Sequence, residues 1–209
     1  MRGNYPLALS NLLEAVRLNP NNPEAQNNLG LAYYVRKKYD EALTHISKAI
    51  ELDPTYTDAK NNRGRLYTDM GQYDKALKDL LEAKNDLTYT KGGKILSNLG
   101  YAYFQKGDYK KAQRTLAEAA RTNRDCFSYN YYGRTLLNLK NYRLSSEVLD
   151  EAIRLCASIR FDEPHFFSGL SYYHLNQREE AESRFDEILK LYPDSQYAKQ
   201  AKKMLQELQ

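Results

Sequence analysis

Histidine and cysteine are the side chains of this sequence best suited to metal or acid–base chemistry, and the chain has three histidines and two cysteines. His165 and His174 lie nine residues apart on one predicted helix. That spacing is about two and a half helical turns, so the two rings face opposite sides and cannot share a metal. The run Lys91-Gly92-Gly93-Lys94 lacks the earlier glycine and the strand of a phosphate-binding loop, and we interpret it as a linker. Metalloprotease, dithiol and nucleophile-elbow motifs are also missing from the sequence. We therefore predict a non-enzymatic protein with no catalytic residue, no metal and no cofactor.

The overall composition favours a folded protein with a buried core. Hydrophobic residues make up 42% of the 209 residues, and charged residues make up 28%. The 31 basic and 27 acidic residues are interspersed and leave a formal charge of only +4, so we predict no nucleic-acid partner. No apolar run approaches the roughly 18 residues of a membrane span.

A tandem repeat organises the chain. Glycines recur at intervals of 33 to 36 residues, at Gly30, Gly64, Gly100, Gly133 and Gly169. A tyrosine follows nine residues after each of the first four, at Tyr39, Tyr73, Tyr109 and Tyr142. Apolar residues recur at helical spacing on both sides of the turn that precedes each tyrosine. Each unit therefore predicts a pair of antiparallel helices that cross closely at the glycine.

These columns resemble the tetratricopeptide repeat, and the resemblance covers essentially the whole chain. In one unit its signature positions are filled by Asn28-Leu29-Gly30, Tyr33, Tyr39, Ala42, Ile46, Ala49 and Pro54. The resemblance implies an all-α fold, a right-handed superhelix (an α-solenoid of antiparallel helix pairs) with a C-terminal capping helix. We divide the single predicted domain, 1-209, into a lone second helix of a truncated repeat, five full repeats and the cap: 1-22, 23-56, 57-92, 93-125, 126-161, 162-193 and 194-209.

In tetratricopeptide arrays the first helix of each pair lines a concave groove, and the resemblance places the partner-binding residues there. We expect the side chains around each column glycine to face a protein partner: Asn27, Asn28, Leu31, Tyr34, Asn61, Asn62, Arg65, Asn98, Tyr101, Phe104, Tyr131, Arg134, Phe167 and Tyr173. Asn28, Asn62 and Asn98 form one predicted column, whose carboxamides would hold the backbone of an extended peptide. The alternative is that asparagine is merely tolerated there and the aromatic rings pack between repeats.

A lengthened linker that carries Tyr89, in an array of about six units, resembles the pilotin lipoproteins of bacterial type IV pili. This resemblance implies a lipoprotein on the periplasmic side of the outer membrane that binds a secretin subunit and assists secretin assembly. It would contact the membrane only through a lipid anchor, and we expect that anchor and its signal peptide to lie outside this sequence. The oligomeric state stays open.

A cytosolic tetratricopeptide adaptor that binds a peptide tail, as co-chaperones do, is the alternative. Such adaptors clamp a terminal carboxylate with a set of lysine, asparagine and arginine side chains. Asn62 and Lys94 match two positions of that set, whereas the others hold Asn27, Leu31 and Asn98. The double-lysine-and-arginine clamp is therefore not assembled.

Cys126 and Cys156 are predicted to lie at the open end of one helix pair. Both are equidistant from Asn141 in the predicted turn, and such residues lie side by side in an antiparallel hairpin. Helix axes about 8–10 Å apart can bring facing Cα atoms into disulfide range. A disulfide and two separate thiols, kept reduced in the cytosol, both remain open.

Overall fold

The computed structural model describes residues 5–208, and this range contains twelve α-helices and no strand. The helices are α1 (Tyr5–Leu18), α2 (Pro23–Val35), α3 (Tyr39–Leu52), α4 (Thr57–Asp69), α5 (Tyr73–Lys84), α6 (Gly92–Lys106), α7 (Tyr109–Asn123), α8 (Cys126–Asn138), α9 (Tyr142–Cys156), α10 (Glu163–His174), α11 (Arg178–Leu191) and α12 (Gln196–Leu208). The all-α prediction is confirmed. Residues 1–4, which belong to the predicted lone helix, and Gln209 of the predicted cap lie outside the described residues.

The chain forms two compact units, Met1–Gln105 and Lys106–Gln209, and each is described by itself. In the first unit α2 packs on α3 and α4 packs on α5. In the second unit α8 packs on α9 and α10 packs on α11. Short turns connect the two members of each pair, as the repeat predicts. Between residues 5 and 208, no helix is long and apolar enough to cross a membrane.

Close helix crossings explain the glycine column. A Cβ atom on Gly30 would lie 2.5 Å from Ile46 Cγ1, and one on Gly64 would lie 2.5 Å from Leu80 Cγ. Ile46 and Leu80 are both 0% exposed. Glycine therefore lets the second helix of each pair insert a large apolar side chain against the backbone of the first.

The turn between the two helices of a pair requires a left-handed residue. The chain takes positive φ two residues before each column tyrosine or its replacement, at Lys37, Gly71, Gly107, Lys140 and Asn176. In the first of these turns the amide of Lys37 donates to the Tyr34 carbonyl, and the helix C-terminus is closed. Lysine at such a position is unfavourable, because a left-handed conformation crowds its Cβ atom.

The pair α8–α9 departs most from the repeat pattern and carries a disulfide. Cys126 begins α8 and Cys156 ends α9, their Cα atoms are 5.1 Å apart, and their sulfurs are bonded. Ser145 stands three residues after Tyr142, at the position that Ala42, Ala76 and Ala112 occupy after the other column tyrosines. Its hydroxyl donates to the Gly133 carbonyl at 2.8 Å and lies 2.8 Å from the Ser171 hydroxyl. A polar side chain can therefore occupy this fully buried position.

The last helix covers the end of the second unit. Tyr197 and Ala201 of α12 are buried in a cluster with Phe185 and Ile188 of α11. The helix begins at a cap, because the hydroxyl of Ser195 accepts a hydrogen bond from the Ala198 amide at 3.1 Å. The opposite face is exposed and rich in lysine, at Lys199, Lys202 and Lys203. The apolar stripe is thus turned inward, as expected for a capping helix.

Candidate partner-binding site

Alternate helices of the first unit line a cavity of about 270 Å³. Two residues come from each of α2, α4 and α6: Leu31, Tyr34, Asn62, Arg65, Lys94 and Asn98. Five of these six belong to the set predicted to face a partner, and the structure brings them together. The sixth, Lys94, is not in that set, although it matches one position of a carboxylate clamp. We call this feature the α2/α4/α6 cavity.

A partly buried carboxylate, that of Asp69, holds the aromatic and basic side chains of this cavity in place. Asp69, the last residue of α4, accepts hydrogen bonds from the hydroxyls of Tyr34 and Tyr101. The Arg65 Nε lies 3.5 Å from Asp69 Oδ2, and the guanidinium carbon lies 4.4 Å from the centre of the Tyr101 ring. Burial is the main cause that raises the pKa of Tyr34 above its usual value.

Asp69 was missed at the level of the sequence, although one signal was present. It follows Arg65 by four residues on one helix, and that spacing favours an ion pair. The two tyrosines that complete the cluster come from other repeats. Their convergence depends on how the repeats stack, which the spacing within one helix does not specify.

The asparagines form a ladder that joins neighbouring repeats. The Asn62 Nδ2 donates to Asn27 Oδ1, and the Asn98 Nδ2 donates to Asn61 Oδ1, both at 2.9 Å. These four side chains are at most 8% exposed. The structure therefore differs from the expectation of one exposed column, because the bonds run between two adjacent columns and use the amide donors. Asn28, the third member of the predicted column, is partly exposed.

Two aromatic residues predicted to face a partner are buried. Tyr101 is 6% exposed and Phe104 is 8% exposed. Tyr101 lies under the Arg65 guanidinium and donates its hydroxyl to Asp69, so it supports the cavity and is not in its lining. Phe104 is a large apolar ring, for which burial among helices is favourable.

The second unit places its predicted aromatic residues around an arginine. The Arg134 guanidinium carbon lies 4.9 Å from the Tyr131 ring centre and 4.4 Å from the Phe167 ring centre. Arg134 Nη1 also pairs with Glu163 Oε2 at 2.9 Å. Arg65 and Arg134 follow their column glycines directly, so the same repeat position carries a stacked, ion-paired arginine in each unit.

Glu163 connects this cluster to the capping helix. Its Oε2 accepts from Asn130 Nδ2 at 2.8 Å, and its Oε1 accepts from the Tyr197 hydroxyl at 3.2 Å. Burial first, and then the charge of Glu163, raise the pKa of Tyr197 to about 12. Tyr173, the last of the predicted groove residues, is partly exposed and packs edge-on against His174.

The three histidines have packing partners. His165 is 6% exposed, and its Nδ1 lies 2.9 Å from Glu187 Oε2. His174 stacks on Tyr142, with ring centres 4.6 Å apart. His45 is half-buried and stacks on Tyr33. Within the described part of the chain, no group of three or more histidine, cysteine or acidic side chains could hold a metal ion.

Family comparisons agree with the repeat architecture. Family models described as tetratricopeptide repeats match residues 2–36, 23–56 and 45–78. The chain is therefore a tetratricopeptide-type scaffold for protein–protein interaction. A further model, named YfiO and described as outer membrane lipoprotein, matches residues 63–209. That match covers more than half of the chain, and the chain belongs to the YfiO outer membrane lipoprotein family.

Solved structures share the fold at low sequence identity. PilF of Pseudomonas aeruginosa is 20% identical with a TM-score of 0.81, and the alignment covers 100% of this chain and 91% of PilF. PilW, described as a widely conserved type IV pilus biogenesis factor, is 15% identical with a TM-score of 0.83, covering 92% of this chain and 88% of PilW. A chain of the APC/C hetero-tetramer Cut9–Hcn1 is 18% identical with a TM-score of 0.80. That alignment covers 92% of this chain but only 38% of the matched chain. These likenesses show the fold alone. Comparison with curated protein sequences gives no match.

Proposed function

We propose that this protein is a pilotin-type lipoprotein that assists the assembly of a type IV pilus secretin on the periplasmic side of the outer membrane. The observation that carries the proposal is the fold match to PilW, a type IV pilus biogenesis factor, because the alignment covers 92% of this chain and 88% of that protein. Membership of an outer membrane lipoprotein family supports the same compartment. The disulfide between Cys126 and Cys156 also suits an oxidising compartment such as the periplasm.

The mechanism we propose is the capture of an extended segment of a secretin subunit. The α2/α4/α6 cavity supplies a fixed surface, because Asp69 and the asparagine ladder hold its side chains before a partner arrives. A preorganised site loses less conformational entropy on binding. A subunit held in this way would be kept from misassembly until the lipid anchor delivers it to the membrane.

The experiment is a gene deletion in the native bacterium, followed by complementation. The gene is restored with its own upstream sequence, the protein is labelled with a fatty-acid analogue, and membranes are fractionated. We expect the labelled protein in the outer-membrane fraction, and we expect assembled secretin to be depleted by the deletion and restored by the gene. An unlabelled protein in the cytosol, with secretin assembly intact, would contradict the proposal.

A cytosolic adaptor that binds a peptide tail is the second candidate. The observation in its favour is that Asn62 and Lys94, which match two positions of a carboxylate clamp, both line the α2/α4/α6 cavity. Two thiols in the protein from its native cell would support this candidate, because the cytosol keeps cysteines reduced.

A further inference from the structure

The α2/α4/α6 cavity combines two cationic side chains with two carboxamides. Arg65 reaches it from α4 and Lys94 from α6, and Asn62 and Asn98 stand beside them. None of its six lining residues, all in the described part of the chain, is acidic. The wall is therefore positively charged, and a positively charged wall favours an anionic group on the ligand.

The carboxylate of Asp69 reduces this charge without cancelling it. Asp69 is not part of the lining, and it pairs with Arg65 at 3.5 Å while it accepts two tyrosine hydroxyls. Lys94 is exposed and forms no ion pair with any residue between 5 and 208. The cavity therefore has two cationic side chains, and one neighbouring carboxylate offsets part of their charge. Its main effect is to fix the Arg65 guanidinium over the Tyr101 ring.

We propose that the cavity binds the side-chain carboxylate of an aspartate or glutamate within an extended segment of the protein partner. Lys94 and Arg65 neutralise that carboxylate through charge-assisted hydrogen bonds. Asn62 accepts a backbone N–H of the same segment with its Oδ1, because its Nδ2 is already donated to Asn27. The inference rests on the proposed function only in that a protein segment occupies the cavity, and it does not require that segment to come from a secretin.

An internal acidic residue suits this cavity better than a chain terminus. A terminal carboxylate would need further charged groups at the positions of Asn27 and Asn98. Both are neutral carboxamides: Asn27 Oδ1 accepts from Asn62, and Asn98 donates its Nδ2 to Asn61 and accepts at Oδ1 from Arg65. The remaining position holds Leu31, which offers an apolar contact to the stem of a neighbouring side chain.

A selection from a random peptide library tests the charge preference without assuming a partner. The 209-residue protein is immobilised, and amidated peptides of about twelve residues are selected and sequenced. We expect aspartate and glutamate to be enriched about fivefold at one peptide position. Lys94→Gln should reduce this enrichment, because only Arg65 then remains to meet the carboxylate, and Lys94→Glu should abolish it. Lys78→Gln removes the same charge from an exposed position of α5 and should leave the enrichment unchanged.

The affinity of the best selected peptide provides the second measurement. Changing its acidic residue to the corresponding amide should raise the Kd about tenfold with the wild-type protein and by a clearly smaller factor with Lys94→Gln, in which only Arg65 meets the carboxylate. Raising the salt concentration from about 50 to about 300 mM should weaken only the acidic peptide, because the charges are partly exposed.

Three results would overturn the inference. They are no acidic enrichment with the wild-type protein, the same enrichment with Lys94→Gln, and enrichment that appears only in a parallel library with free C-terminal carboxylates. The last result would assign the cavity to a chain terminus. Acidic enrichment without any capture of a secretin subunit would support the inference and reject the proposed function, so the two failures can be told apart.

Discussion

Replacing Asn98 with alanine tests whether the asparagine ladder holds neighbouring repeats together. Asn98 is 7% exposed and donates at 2.9 Å to Asn61, which is 0% exposed. The Asn61 Nδ2 already has no hydrogen-bond partner among the described residues, so the substitution would also leave its Oδ1 without this donor. A buried polar group left without a partner costs about 1–3 kcal/mol. We expect Asn98→Ala to lower the free energy of unfolding of the first unit by that amount.

The assay is a urea titration combined with hydrogen exchange read by mass spectrometry. Repeat arrays need not unfold in one step, and peptides from α4 and α6 report the affected interface directly. Replacing both partners, in Asn61→Leu with Asn98→Leu, should cost less than Asn98→Ala, because no buried amide is then left unpaired. Asn28→Ala is the matched control at a partly exposed position. Stability within about 0.5 kcal/mol of wild type for Asn98→Ala, with unchanged exchange in α4, would refute the structural role of the ladder.

Three further predictions concern the disulfide, the helix crossings and the tyrosines. Closing the loop between Cys126 and Cys156, separated by 30 residues, should contribute about 3–4 kcal/mol to the free energy of unfolding. Replacing both cysteines with serine should lower the urea midpoint accordingly, and free thiols in oxidised protein would contradict this. Gly64→Ala should destabilise by about 1–3 kcal/mol, because its Cβ would lie 2.5 Å from Leu80 Cγ. In a Leu80→Ala background the cost of Gly64→Ala should be smaller, because the contacts with Leu80 Cγ and Cδ2 are gone and the approach of 3.2 Å to the Ala76 carbonyl oxygen remains. An equal cost in both urea titrations would be inconsistent with the crossing. Tyr197 has a pKa of about 12 in the folded protein, above the usual value near 10. Its contribution to stability is therefore full below about pH 10 and falls between about pH 10 and 12. In a pH titration followed by tyrosinate absorbance, Tyr197→Phe should lack one of the tyrosines that ionise near pH 12 in the wild-type protein.

The helix pairs could be predicted from the sequence because each is specified locally. The glycine column recurs in all five repeats and the tyrosine column in four, and the glycine reports a contact inside one pair, such as Gly30 against Ile46. The left-handed residue of each turn was not predicted, because the position holds lysine in two turns and glycine in two others. Lys37 adopts positive φ there because the turn hydrogen bonds require it, against the preference of its side chain.

The cavity residues could be predicted as a set, but their hydrogen bonds could not. Which residues face the first-helix surface follows from helical spacing, and five of the six lining residues were expected. The pairing of Asn62 with Asn27, one column over, depends on the offset between neighbouring repeats. No position within a single repeat specifies that offset. The role of Asp69 could not be predicted for the same reason, since its two tyrosine partners come from different repeats.

Site-specific photocrosslinking in living cells tests the central claim most directly. A photoreactive amino acid replaces Leu31, which lines the α2/α4/α6 cavity, and the matched control replaces Lys78, which is exposed on α5. The proposed function predicts that the variant at Leu31 forms an adduct with the secretin subunit in the envelope fraction, and that the variant at Lys78 does not. An adduct only with a cytosolic protein, or equal secretin adducts from both positions, would contradict the account.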